Sequence, residues 1–328
     1  MAAKILIVNN GAEVRDIAPK FVPAGFDLVF GAAGSAEYRA ALPEAEYIFG
    51  QAGPMDAEFH RSAPRLKLVQ LFSAGYDRVD LEAARNAGVP VCNNGGANSM
   101  SVAEHTILLM LAVYRRLTWQ HEMVSSGRWR GNQEPSGLRE LHAKTVGVVG
   151  LGNIGKRVAR IASGGFAARI QYYDIVRLSE DQEDATGWRY RLLDELLQTS
   201  DIVTLHVPLT KLTRNMISIP ELALMQPHAI LINACRGGVV DVPALHDALV
   251  SGKIAGAGLD VFPQEPPAPE EAVLSLDNVV LSAHLAGSSH ETRVKMLRNA
   301  FDNALRVSRG ERPFWIVPEL RDMRLRTA

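Results

Sequence analysis

The chain has 328 residues, of which 47% are hydrophobic and 22% charged, and its 35 basic and 36 acidic residues give a formal net charge of −1. That length accommodates two ordinary domains of roughly 150 residues each. The composition excludes a disordered chain, and the charge balance leaves no general attraction to nucleic acid or to an anionic membrane surface.

An anionic ligand must therefore be held by local groups. The longest apolar run, residues 107–113, falls far short of the ~20 residues that span a bilayer. The N-terminus runs from Met-Ala-Ala-Lys straight into a strand-like segment, without a signal-peptide core. A cytoplasmic protein with no membrane or nucleic-acid partner is expected. The two cysteines, Cys92 and Cys235, form no CxxC pair and imply neither a zinc site nor a disulfide framework. They read as buried thiols in a reducing compartment, and no metal is expected.

Along the first hundred residues, apolar runs at 5–8, 47–49, 66–72 and 89–92 alternate with helix-like stretches such as 81–87. Short continuous apolar strands alternating with helices predict a parallel sheet covered on both faces. Residues 101–119 predict one long buried helix, with Ser101 as its cap and Glu104 completing a capping box. A second alternating block follows, with strands expected at 145–149, 169–173, 201–207, 229–234, 256–262 and 279–283. Helices fit at 154–163, 194–199, 221–225 and 243–251. Six strands with crossover helices describe a doubly wound dinucleotide-binding domain. Residues 291–309 are helix-like, and the tail 312–328 carries no strong pattern. Two consecutive sheets leave a cleft between domains, a usual place for a small-molecule site.

The strand at 145–149 leads into Gly150-Leu151-Gly152-Asn153-Ile154-Gly155, and an amphipathic helix follows. This is the context in which a GxGxxG pattern cradles a pyrophosphate. The first glycine permits the tight turn, the second close backbone approach, and the third helix–strand packing. The helix N-terminus offers unpaired N–H groups to the anion. Asp174 follows the next strand, where a carboxylate accepts hydrogen bonds from the adenosine ribose and repels a 2′-phosphate. That favours NAD, with Arg177 as the counter-signal for NADP.

Arg236 follows a strand directly, at the ligand-binding end of a parallel sheet, and its planar donors suit a carboxylate and a carbonyl oxygen. His284 follows another strand end. A histidine, with a reference pKa of ~6.5, suits proton donation during carbonyl reduction. Glu265 precedes it in Gln264-Glu265-Pro266-Pro267; a carboxylate on the ring would orient it and favour imidazolium.

With these residues in place, the chain resembles the D-isomer-specific 2-hydroxyacid dehydrogenase family. The matching stretches are Ser73-Ala74-Gly75-Tyr76-Asp77, Asn98 to His105, the glycine loop, His206-Val207-Pro208-Leu209-Thr210, the Arg236 segment, Gly258 to Phe262, Glu265-Pro266 and His284-Leu285-Ala286-Gly287. They span roughly residues 45 to 290 in the family's order.

The resemblance implies an α/β protein of two doubly wound parallel-sheet domains. A Rossmann dinucleotide-binding domain, residues 99–289, would be inserted in a flavodoxin-like substrate domain, residues 1–98 with 290–328. It implies Arg236, Glu265 and His284 as the catalytic set. NAD would be held by Gly150, Gly152, Asn153, Ile154, Gly155, Asp174, Pro208, Thr213, Ala234, Asp260, His284 and Gly287. Substrate would be held by Ala74, Gly75, Asn98 and Arg236, with the N–H groups of Ala74 and Gly75 forming an anion nest. His206 and His105 fit family positions of structural kind. A homodimer joined through the cofactor domain is implied, with apolar residues near Trp119 and Trp129 as its contact.

The sequence departs from the family's pattern in places. Ala283 stands where proline usually precedes the histidine. The segment Gln51-Ala52-Gly53-Pro54-Met55 lacks the arginine of phosphoglycerate dehydrogenases, which argues against a phosphorylated substrate. Formate dehydrogenases carry glutamine where Glu265 stands. The expected activity is reduction of a small 2-oxo acid to a D-2-hydroxy acid, of the glyoxylate or hydroxypyruvate type, with Phe72, Tyr76 and Trp129 as candidates for shaping the pocket. The rival readings are an NAD-sensing binding protein of corepressor type and an enzyme oxidising a small inorganic anion such as phosphite.

Overall fold

The computed structural model describes residues 2–8, 11–130 and 137–323. The chain divides into two compact units: residues 1–98 with 288–328, and residues 99–287. The end of the expected substrate-domain tail, 324–328, lies outside the described residues.

The first unit holds a five-stranded parallel sheet of β1 (Ala3–Ile7), β2 (Phe26–Phe30), β3 (Tyr47–Phe49), β4 (Leu68–Gln70) and β5 (Val91–Cys92). The order is β2-β1-β3-β4-β5, the flavodoxin-like arrangement. Ile5 lies opposite Leu28 on one side and Tyr47 on the other. Ile5, Leu6, Ile7, Tyr47, Ile48 and Phe49 are all fully buried, because helices cover both faces. That is why the runs are continuously apolar. The edge strand β2 was not among the expected strands: Asp27 interrupts its apolar run, and it is only partly buried.

The helix His290–Ser308 returns to this unit and sets Met296, Leu297, Ala300, Phe301 and Ala304 into its core. Ser289 caps it by accepting from Thr292 N at 3.1 Å. The fully buried Asn303 donates to Gln70 Oε1 at 2.7 Å and to Phe314 O at 3.0 Å. The patternless tail is thus tied down by side-chain amides and by an antiparallel bridge from Ile316 to Cys92.

The second unit opens with the helix Ser99–Arg115, followed by the helix Leu117–Ser125. The single helix expected at 101–119 is therefore broken. Arg116 takes a left-handed conformation with φ 47°, and hydrophobic periodicity continues through such a one-residue break without recording it. Ser101 does not cap the helix; it lies inside the first turn and donates from Oγ to Ala286 O at 2.7 Å.

Seven parallel strands follow: β6 (Thr145–Val149), β7 (Arg169–Tyr173), β8 (Arg189–Tyr190), β9 (Ile202–Leu205), β10 (Ile230–Asn233), β11 (Gly256–Leu259) and β12 (Val279–Leu281). Their order is β12-β11-β10-β9-β6-β7-β8. This is the Rossmann order with a strand added at one end. All six expected strands are present, several ending earlier than expected. The seventh, β8, is a two-residue edge strand too short to register as an apolar run. The order reverses between β6 and β9, and their carboxyl ends define the switch point where dinucleotides bind in such sheets.

Candidate active site

The glycine loop leaves β6 at the switch point and enters the helix Gly155–Phe166. Gly150 has φ +94°, and a Cβ there would lie 2.6 Å from His206 O in the loop after β9. A Cβ on Gly155 would lie 2.1 Å from Gly150 O, so that position must be bare for helix and strand to meet. At Gly152 a Cβ would meet nothing within 4 Å.

Among the described residues, the N–H groups of Gly152, Asn153, Ile154 and Gly155 make no hydrogen bond within the protein. An open glycine beside four unspent donors at the start of a 12-residue helix fits a pyrophosphate. Asp174, just beyond β7, accepts from Leu151 N at 2.6 Å through Oδ2 and from Val176 N at 2.9 Å through Oδ1. These bonds fix the carboxylate beside the loop while each oxygen keeps acceptor capacity. In the loop after β9, Thr213 donates from Oγ1 to Pro208 O at 2.6 Å and accepts from Thr210 N at 2.8 Å. Its hydroxyl therefore braces that loop.

Arg236, Glu265 and His284 stand at the carboxyl ends of three neighbouring strands, β10, β11 and β12. Ala234 ends β10's buried stretch, and Asn233 clamps the turn beyond it, donating from Nδ2 to Arg236 O at 3.0 Å. The half-buried Arg236 donates from Nη1 to Cys235 O at 2.8 Å. Burial pushes the Cys235 thiol up to about 11, so it stays protonated at neutral pH. His284 Nδ1 lies 2.8 Å from Glu265 Oε2, while Glu265 Oε1 accepts from Phe262 N at 3.2 Å. The imidazole is 45% exposed, and Nδ1 is the ring nitrogen held by the carboxylate.

His284 has φ 54°, a left-handed conformation uncommon outside glycine that its surroundings hold in place. The constraint comes from Asp260. Its backbone carbonyl accepts from His284 N at 2.7 Å. Its fully buried carboxylate accepts from Leu285 N and Ala286 N, each at 3.0 Å, and from Ser282 Oγ at 2.7 Å. His105 Nε2, on the helix Ser99–Arg115, lies 2.9 Å from the same Ser282 Oγ. Gly287 closes this turn and the second unit.

His105 thus belongs to the network that shapes the turn carrying His284. Ser282 belongs to it too, and so does Ser101, which the sequence marks only as a helix cap. The ring of the other expected structural histidine, His206, has Thr204 Oγ1 at 3.0 Å from Nε2, its backbone N donates to Val149 O at 2.7 Å, and desolvation lowers its pKa to about 3. It is a neutral ring at working pH.

In the first unit, the loop after β4 spends its carbonyls internally. Ser73 Oγ donates to Gly75 O at 2.6 Å, and Asn93 Nδ2 to Ala74 O at 3.4 Å. The N–H groups of Ala74 and Gly75 make no protein hydrogen bond among the described residues, and Asn98 Oδ1 is buried without a partner. Phe72 and Tyr76 pack against this unit's core, with Tyr76 Oη donating to Glu319 Oε1 at 3.3 Å. Trp129 is 73% exposed in the second unit. Among the described residues, no group of histidine, cysteine and carboxylate side chains could hold a metal ion, and no helix is long and apolar enough to cross a membrane.

A Rossmann sheet with this loop, and a histidine–carboxylate pair beside an arginine at its ligand end, defines a nicotinamide-dependent oxidoreductase. Residues 107–286 match the family model described as D-isomer specific 2-hydroxyacid dehydrogenase, NAD binding domain. Over 262 residues, 79% of this chain and 78% of the relative, the sequence is 43% identical to a glyoxylate reductase of Korarchaeum cryptofilum. Over 272 residues, 83% of this chain and 85% of the relative, it is 39% identical to a glyoxylate/hydroxypyruvate reductase B of Pectobacterium carotovorum. Among solved structures, holo D-mandelate dehydrogenase of Rhodotorula graminis superposes with a TM-score of 0.86 at 28% identity, covering 97% of this chain and 98% of that one. The chain belongs to the D-isomer-specific 2-hydroxyacid dehydrogenase family. It is an NAD-dependent oxidoreductase that interconverts 2-oxo and 2-hydroxy acids.

Proposed function

We propose that the chain reduces a small 2-oxo acid, glyoxylate or hydroxypyruvate, to the D-2-hydroxy acid, with Arg236, Glu265 and His284 as its catalytic residues. The contact of 2.8 Å between His284 Nδ1 and Glu265 Oε2 carries this reading. NADH held at the glycine loop would supply the hydride that the carbonyl carbon receives. His284 gives a proton from Nε2 to the carbonyl oxygen and takes it back in the reverse direction. Glu265 keeps the Nδ1 proton in place, so that Nε2 is the nitrogen that exchanges. Arg236 pairs with the substrate carboxylate and stabilises the charge that develops on the carbonyl oxygen. Ala74, Gly75 and Asn98 complete the substrate set, on the support of the unspent N–H groups and the partnerless Asn98 Oδ1.

On the cofactor side, Gly150, Gly152, Asn153, Ile154 and Gly155 hold the pyrophosphate and Asp174 the adenosine ribose. Pro208, Thr213, Ala234, Asp260, His284 and Gly287 line the nicotinamide side. In this reading residues 99–289 form the dinucleotide-binding domain, and 1–98 with 290–328 the substrate domain. A cytoplasmic homodimer joined through the cofactor domain completes the proposal. The exposure of Leu117, Val124 and Trp129 supports the dimer, and the two free cysteines support a reducing compartment.

The relatives' names and the missing Gln51–Met55 arginine favour a small, unphosphorylated acid, and they do not favour the corepressor or phosphite readings. NADH consumption against 2-oxo acids from glyoxylate to phenylpyruvate tests the substrate. Glyoxylate or hydroxypyruvate should give the highest kcat/KM. A marked preference for phenylpyruvate would overturn the assignment.

A further inference from the structure

We propose that Glu183 sets the cofactor preference by holding the Arg177 guanidinium out of reach of a 2′-phosphate beside Asp174. The inference rests on the reading of Asp174 as the ribose partner.

An arginine three residues beyond that carboxylate is chemically suited to a 2′-phosphate, because its planar fork pairs with phosphate through two hydrogen bonds. In this chain the fork is already engaged. Arg177 Nε donates to Glu183 Oε1 at 3.1 Å and Nη2 donates to Glu183 Oε2 at 3.3 Å. The guanidinium carbon also lies 5.2 Å from the centre of the Tyr190 ring.

Glu183 is itself fixed. It is 5% exposed, an unusual state for a glutamate unless it is paired. Its Oε1 accepts a second bond from Tyr172 Oη at 2.8 Å, and that phenol oxygen accepts from Leu178 N at 2.9 Å. Arg189 Nη1 donates to the Glu183 carbonyl at 2.9 Å. The short helix Glu180–Thr186 that carries Glu183 is held at its start by a capping box between Ser179 and Gln182. Residues of β7, the following loop, the helix and β8 therefore hold one carboxylate in place to receive one arginine. The arginine's hydrogen bond holds the Glu183 carboxyl below the usual carboxylate range, as a formed ion pair requires.

Two consequences follow for the ribose side. Pairing Arg177 with Glu183 cancels its charge locally, so Asp174 presents its negative charge to an incoming 2′-phosphate without compensation. Recruiting Arg177 would also strip a buried carboxylate of its partner, which costs more than breaking a solvated pair. Glu183 is thus a positioning residue that acts through Arg177 and touches neither substrate nor cofactor.

The test is kcat/KM for NADH and for NADPH, with the same 2-oxo acid, in the wild-type enzyme, Glu183→Gln, Arg177→Ala and the double variant. Glutamine keeps the shape and the Tyr172 contact but removes the charge. Glu183→Gln should raise kcat/KM for NADPH about tenfold or more, the worth of one charge-assisted hydrogen bond, and leave NADH within about threefold. Adding Arg177→Ala should erase the gain, while Arg177→Ala alone should leave NADH use intact.

An equal change for both cofactors, or a gain that survives Arg177→Ala, would overturn the proposal and leave Glu183 as a fold-stabilising residue. A wild-type enzyme that uses NADPH as well as NADH would instead overturn the reading of Asp174, and the proposal with it. Should Glu183→Gln fail to fold, Tyr172→Phe decides. It removes one donor from Glu183 and should shift the NADPH/NADH ratio upward by about threefold; an unchanged ratio would overturn the proposal.

Discussion

His206 illustrates how much of a residue's behaviour is set by its surroundings. Its backbone carbonyl occupies the space that Gly150 leaves bare, and its ring Nδ1 is buried without a partner. Desolvation lowers its pKa to about 3. In the unfolded chain a histidine titrates near ~6.5. The folded state therefore keeps the ring neutral where the unfolded state takes up a proton. The stability this residue contributes is complete above about 6.5 and is lost as pH falls from there towards about 3. His206→Gln, which cannot titrate, should lose less Tm than the wild-type protein between about pH 7 and about pH 5. Equal losses in calorimetry would contradict this account. The family resemblance marks the residue as structural, but its neutrality depends on burial that no local pattern reports.

At the scale of elements, the turn after β12 carries the histidine proposed as the acid and base. Its backbone bends at a left-handed histidine, and the Asp260 carboxylate receives two of its N–H groups and the Ser282 hydroxyl. Replacing Asp260 by alanine leaves the buried Ala286 N–H unpaired, at about 1–3 kcal/mol, and removes the acceptor shared by Leu285 N and Ser282 Oγ. Asp260→Ala should lower both Tm and kcat, whereas Ser282→Ala, which removes one donor, should have a smaller effect on each. A full-activity Asp260→Ala enzyme with wild-type Tm would show that the turn holds itself.

The same element shows what the sequence could and could not convey. Arg236 and His284 each follow an apolar run, so each could be placed at a strand end, whereas Glu265 lies six residues beyond the glycine-rich β11 and joined them only through the family resemblance. The glycine loop was legible because its strand, turn and helix are contiguous. The links from His105 and Ser101 to that turn were not legible, because each joins residues more than a hundred positions apart. Edge strands β2 and β8 were missed because a half-buried or two-residue strand lacks the continuous apolar run that marks a buried one. The break at Arg116 was missed because it reverses a single backbone dihedral within an unbroken helical pattern.

At the scale of the molecule, each unit has its own hydrophobic core. One is built around Ile5–Ile7, Tyr47–Phe49 and the helix His290–Ser308, and the other around β6 and its neighbours. The proposed homodimer would cover the apolar side chains exposed on and beyond the helix Leu117–Ser125, among them Leu117, Val124 and Trp129. Sedimentation should give twice the mass of the 35.7 kDa chain, and Trp129→Ala with Val124→Glu should weaken the association. A monomer at micromolar concentration would contradict the dimer.

In the proposed mechanism His284 transfers the proton, while the glycine loop supplies most of the hold on the dinucleotide. The most direct measurement compares steady-state NADH oxidation by the wild-type enzyme and His284→Ala on glyoxylate and hydroxypyruvate, alongside NADH binding followed by fluorescence. The account predicts a fall in kcat of about a thousandfold, within the range for loss of a general acid, with NADH affinity changed less than about threefold. Near-normal turnover in His284→Ala would contradict it.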